Sequence, residues 1–194
     1  STFQFHTRAV PESLKKLAAA EPGGTTLKTL LIPHLSSPRT QIRELAIYYF
    51  TLIGAPATSE VEQLLTHISL HDKSEYAREL AIVNLRSSFG ATAAVAETMR
   101  TIMQTDVSHA VQVRAATAFA VMHARLPVEE LLRDQALAEV VTFFRQYGDG
   151  CRRTDCEWGW RLLGNAILEF GPAGEESLKF LMTDAANRNL SDRA

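Results

Sequence analysis

The densest run of reactive side-chain types in the chain is "GDGCRRTDCEWGW", residues 148–160. It holds both cysteines, Cys151 and Cys156, both tryptophans, Trp158 and Trp160, and the cations Arg152 and Arg153. A C-x4-C pair is half of a metal site, because tetrahedral zinc takes about four ligands and needs a second pair elsewhere. No second cysteine pair exists, and the six histidines, His6, His34, His67, His71, His109 and His123, are scattered along the chain. The cysteines read as two thiols near a helix start, or as a disulfide if the protein is exported, since a short loop brings two Cα atoms within about 6 Å. A helix N-terminus lowers a thiol pKa, yet no histidine or other base adjoins Cys156 in sequence. His67 and His71 have the i, i+4 spacing of a helical metal pair but no His-Glu-x-x-His, and His71 directly before Asp72 suits a last-turn position. Trp158 and Trp160 stand two apart on a helix and so face different ways.

Other chemistries lack their residues. There is no Gly-rich phosphate loop, no nucleophile elbow and no paired carboxylates in a catalytic setting. Glu129-Glu130 and Glu175-Glu176 stand near helix starts, where negative charge suits the helix dipole. With 20 Lys and Arg against 22 Asp and Glu, the net charge of −2 argues against a nucleic-acid partner. No run approaches the length of a membrane span. The expectation is therefore no catalytic residue, no metal, no cofactor and no membrane span. The compartment stays open between the cytoplasm and the cell surface, and so does the oligomeric state.

Self-similarity supplies the elements that must position these residues. "SPRTQIRELAIYYF" (37–50), "DKSEYARELAIVNL" (72–85), "SHAVQVRAATAFAV" (108–121) and "DCEWGWRLLGNAIL" (155–168) align without gaps on Arg43, Arg78, Arg114 and Arg161, spaced 35, 36 and 47 residues apart. Six residues before each arginine stands Ser37, Asp72, Ser108 or Asp155, a residue able to cap a helix. Glu75 completes a capping-box pattern with Asp72. Apolar residues then recur at helical spacing, as in Ile42, Leu45 and Tyr49, or Trp160, Leu163, Ile167 and Leu168. Three residues after each arginine the side chain is small (Ala46, Ala81, Thr117, Gly164), which lets a neighbouring helix approach. Further amphipathic segments lie at 25–35, 58–70, 92–103, 134–147 and 173–186, punctuated by Gly54-Ala-Pro56, Gly90, Gly148 and Gly171-Pro172.

A helix pair per unit, with "IRELAI", "ARELAI", "VRAATA" and "WRLLGN" on the second helix, resembles the HEAT-repeat family. That resemblance implies an all-α, right-handed α-solenoid of about four hairpins plus terminal helices. It also implies an Asp–Arg ladder between successive repeats, carried here by Ser37, Arg43, Asp72, Arg78, Ser108, Arg114, Asp155 and Arg161. Ser37 and Ser108 depart from the acidic half of that pattern. HEAT-type hydroxylases use His-Glu dipeptides as iron ligands, and the chain has none. HEAT-like DNA glycosylases use a basic groove with an aromatic-lined Asp, for which Arg152, Arg153, Asp155 and Trp158 are the candidates. Residues 157–182 also resemble a C-terminal HEAT module of large multidomain bacterial proteins.

The expectation is one domain over 1–194, with a leading helix near 12–20, repeats at 25–54, 58–90, 92–124 and 134–171, and a partial repeat at 173–194. In that partial repeat Ser191 would open a further helix, and the whole would be a fragment of a larger protein. The extra length before Arg161 is expected as a short helical turn at 128–132 and a protruding loop carrying Arg152 and Arg153. The function expected is a non-catalytic interaction or scaffold module within a larger bacterial protein. It would bind a protein partner or a neighbouring domain through the row of second helices. Tyr48, Arg86, Arg152, Arg153 and Trp158 are the contact residues, with Glu44, Glu79 and Asn165 beside them. The alternative is a HEAT-like enzyme or nucleic-acid-binding protein, glycosylase-like, using residues 152–160.

Overall fold

The computed structural model describes residues 25–125, 129–150 and 157–191. The expected leading helix, and Cys151, Arg152, Arg153, Asp155 and Cys156, lie outside the described residues. Those residues form nine α-helices and no strand. They are α1 Thr25–Leu31, running into a 3-10 turn Ile32–Ser36, then α2 Thr40–Ile53, α3 Ser59–His71, α4 Glu75–Asn84 and α5 Ala93–Thr105. After them come α6 His109–Arg125, α7 Glu130–Gly150, α8 Glu157–Leu168 and α9 Pro172–Ser191. A π-helical turn, Leu85–Phe89, extends α4.

Helix starts follow from side chains that satisfy free backbone N–H groups. Thr58 accepts from the Val61 N–H, Thr92 from Val95, Ser74 from Ala77 and Ser108 from Val111. Two expected caps are thereby corrected. Ser74, not Asp72, caps α4, so Glu75 is its first residue rather than the far half of a capping box. The residue before α2 is Arg39, which offers no side-chain cap; Ser37 instead accepts the Arg39 N–H from outside the helix. Gly54, Gly90 and Gly171, at φ of 77°, 69° and 68°, end α2, the π turn and the α8 turn in a backbone region that other residues reach only with strain.

The second helices α2, α4, α6 and α8 pack side by side, and each also packs on the helix before it in the chain. Their bonded pairs come in the same order on each neighbour: Glu44 with Ser74 and Thr51 with Asn84, then Arg114 with Glu79, then Arg125 with Glu169. The Arg114 guanidinium likewise meets Trp158 eleven residues before Glu169, and Arg78 meets Asp106 ahead of α6 while Arg86 lies beside Arg125 at its end, so the four helices run parallel. The core lies between this row and α3, α5 and α7. Residues at the seventh helical position, Ala46, Ala81, Ala115 and Leu163, are all fully buried there. Central α6 touches α4, α5, α7 and α8, and it is accordingly apolar on most sides, with Ala115, Ala116, Ala118 and Ala120 permitting close approach.

Three further expectations change. Part of the extra length before α8 lies in the 21-residue α7, which starts at Glu130 and runs through Gly148, so there is no separate turn within 130–132, while the expected loop at Arg152 and Arg153 lies outside the described residues. Ser191 ends α9 rather than opening a new helix. A Cβ added at Gly164 would meet nothing within 4 Å, so that glycine accommodates no neighbour. The close approaches are elsewhere: a Cβ on Gly159 would strike the Tyr147 ring, and one on Gly174 the Ile167 carbonyl.

Candidate interaction surface on the second helices

Arginines at the fourth position of α2 and α4 bind the segment that opens the next second helix. Arg43 donates from Nε and Nη2 to Asp72 at 2.6 and 2.8 Å, and from Nη1 to the Ser37 carbonyl at 2.7 Å. Arg78 repeats the pattern, donating to Asp106 at 2.7 and 2.9 Å and to the Asp72 carbonyl at 2.8 Å. Each carboxylate also accepts an N–H two residues on, Ser74 for Asp72 and Ser108 for Asp106. Burial by itself would raise the Asp72 pKa, but the Arg43 and Ser74 donors outweigh it and hold the carboxyl below its usual value. Both pairs are bidentate and nearly dry, which makes them costly to break singly.

The ladder has only these two rungs among the described residues, and its register differs from the one expected. Asp106, not Ser108, is the acid of the second rung. The fourth position of α6 holds Gln112 and that of α8 holds Trp160, so Arg114 and Arg161 are not rung residues. Gln112 bonds His109 at 3.0 Å, and Trp160 packs edge-on against Phe144 with ring centroids 4.7 Å apart. Arg161 is exposed and makes no ion pair with another described residue. The missed signal was present in the chain: "DKS" at 72–74 and "DVS" at 106–108 share the acid-x-cap spacing, two residues out of step with an alignment on arginines.

Across the open face of the second helices, a band of polar and aromatic groups changes sign along the helix axes. Near the N-terminal ends stand Glu44, Tyr48, Glu75, Tyr76 and Glu79. The Tyr76 phenol is pushed up to about 12, first by burial and then by Tyr48, Glu44 and Glu79. The Glu79 carboxyl is also raised, mainly by burial, with Arg114 opposing. Arg114 reaches Glu79 at 3.3 Å, stacks its guanidinium 4.9 Å from the Trp158 ring centroid, and keeps a buried Nε–H without an acceptor. Toward the C-terminal ends the charge becomes positive, with Arg86 on the π turn and Arg125 on α6, the latter paired with Glu169 at 3.1 Å.

Of the expected contact residues, Tyr48 is half-buried on this face and Arg86 is exposed on it. Trp158 is 41% exposed, with one ring face taken by Arg114. Asn165 is exposed, while Glu44 and Glu79 are bonded to Ser74 and Arg114. Leu45 and Leu168, expected among the apolar helical positions, are 49% and 46% exposed, and Leu52 is likewise 49% exposed near Tyr48. His71 is the last residue of α3, its ring 5.0 Å from that of His67. Among the described residues no three His, Cys, Asp or Glu side chains cluster to hold a metal, and no helix is long and apolar enough to cross a membrane. No family model, curated protein or solved structure matches the chain.

Proposed function

We propose that the chain is a HEAT-like, right-handed α-solenoid serving as a non-catalytic interaction or scaffold module of a larger bacterial protein. Its contact surface is the row of second helices, and its partner is another protein or a neighbouring domain of the same chain. The observation that carries this reading is the side-by-side, parallel packing of α2, α4, α6 and α8, which leaves one face of four helices open. On that face Leu45, Leu52 and Trp158 keep large apolar surface in solvent next to Tyr48 and Arg86, the mixture that protein interfaces favour. The two-rung ladder fixes successive second helices rigidly enough to present such a surface preorganised.

A photo-crosslinking amino acid at Leu45 or Tyr48, compared with one at exposed Thr101 on α5, tests the assignment in the native host. The expected result is crosslinking to a single protein or to a neighbouring domain from Leu45 and Tyr48, with none from Thr101. Equal labelling from all three sites, or a salt-sensitive mobility shift with short DNA duplexes, would overturn it.

A further inference from the structure

At the C-terminal end of that face, a cleft of about 490 Å³ lies between the π turn after α4 and the ends of α6 and α8. Arg86, Arg125 and Glu169 supply its charges, and Ser87 and Gly90 line it beside them. Arg125 already holds Glu169 through Nε and Nη2 at 3.4 and 3.1 Å. Arg86 is different, for its side chain makes no hydrogen bond or ion pair with any described residue. Desolvation lowers its pKa first, and the charges of Arg114 and Arg125 lower it further, with Glu169 opposing only in part. Two guanidinium groups thus share the cleft with one carboxylate, and farther along α6 Arg114, paired with Glu79, adds a buried Nε–H that has no acceptor.

We propose that this arginine stripe is a recognition site for an acidic peptide segment, whose carboxylate or phosphate oxygens take the free Arg86 fork and compete with Glu169 for Arg125. The reading rests on the protein-partner assignment above and names the chemistry of the partner. The π turn carries the site's free cation. In it Arg86 is exposed and Leu85 is buried in the core, and Ser88 accepts the Ala55 N–H at 3.1 Å, tying the turn to the loop after α2. Arginine suits the task, since a planar fork offers two parallel donors to a carboxylate or phosphate. From Arg114 to Arg125 is eleven residues of helix, roughly 16 Å at about 1.5 Å per residue. That length matches about five residues of extended peptide at about 3.3 Å each. A nucleic-acid duplex fits less well, because continuing along the helix axes it would meet Glu79, Glu75 and Glu44 with its phosphates.

Fluorescence anisotropy of the whole chain with three labelled pentapeptides tests the proposal: one of glutamates, one with two phosphoserines, and a serine–glycine control. The two acidic probes are expected to bind and the control not to, and the ratio of the two affinities tells carboxylate from phosphate as the preferred oxyanion. Arg86→Gln should weaken the better probe by about tenfold or more, the scale of one lost charge-assisted pair. Its thermal midpoint should stay that of the wild type, because Arg86 is exposed. Arg161→Gln, exposed but outside the cleft, should leave binding unchanged. Equal binding of all three peptides, an Arg86→Gln variant that binds as wild type, or a DNA duplex that outcompetes the acidic probes would each overturn the site. Loss of acidic-peptide binding with crosslinking from Tyr48 intact would remove this proposal while leaving the interaction module standing.

Discussion

Asp106→Asn isolates the second rung of the ladder with little change of shape. The amide can keep its oxygen toward the Ser108 N–H and Arg78 Nη2, which Oδ1 now accepts at 2.7 and 2.9 Å. Its Nδ2 then faces the Arg78 Nε–H in place of the oxygen at 2.7 Å, donor against donor. The Arg78 side chain is 8% exposed and that of Asp106 6%, so solvent screens this pair little. Breaking one partner of a buried ion pair costs about 3–5 kcal/mol, against less than about 1 kcal/mol for an exposed pair. Retention of Nη1 on the Asp72 carbonyl places the expected cost near the lower end, about 3 kcal/mol. For a chain of this length that lowers the melting midpoint by about 6–12 °C. Urea unfolding followed both by circular dichroism and by the emission of the two tryptophans measures it, and agreement of the probes checks that unfolding stays cooperative. Gln112→Ala, at the same helical position without a rung, should stay within about 0.5 kcal/mol of wild type. A loss below about 1 kcal/mol for Asp106→Asn, or a Gln112→Ala loss as large as the rung's, would refute the two-rung ladder.

Acid should weaken the other rung in a defined direction. The folded Asp72 pKa lies below the unfolded carboxylate value, so its stabilisation is full above about pH 4 and is lost as pH falls through the folded value. The stability gap between wild type and Asp72→Asn should therefore shrink below about pH 4, and a gap independent of pH contradicts the assignment. Gly174→Ala drives a Cβ into the Ile167 carbonyl, so α9 must shift or fray at about 1–3 kcal/mol, seen as faster amide exchange along 175–184. Gly164→Ala, in open helical surface, should instead be neutral or stabilising by up to about 1 kcal/mol; the reverse order of the two glycines would contradict the close approach of α9 to α8. Arg114→Met removes the cation beside Trp158 and leaves Glu79 without its partner. Its expected cost is about 1–2 kcal/mol with a shift in tryptophan emission, and an unchanged spectrum would argue against the stacking.

The sequence by itself determined the elements. Amphipathic spacing, Thr58, Thr92 and Ser108 as caps, and Gly54, Gly90 and Gly171 at the breaks are local signals, each acting within a turn or two of the backbone, and the helices follow them. Arg43, Asp72 and Arg78 entered as ladder residues through the resemblance to HEAT repeats that the recurring segments carry. The register of the third copy was not legible. Aligning on arginine chose Arg114, whereas the rung is fixed by the distance from a cap to a carboxylate on the preceding turn, and that geometry selects Asp106 and passes over Gln112. Only the tertiary structure decided which faces of α2 and α8 remain open, and so that Leu45 and Leu168 are exposed. It alone set Trp158 beneath Arg114 and gathered Arg86, Arg125 and Glu169 into one cleft. Those three stand at the ends of separate helices, 39 and 44 residues apart, and a relation of that kind leaves no period in the chain. Burial, desolvation and charge compensation belong to the packed row of helices, because each depends on what the neighbouring repeat brings to the same place.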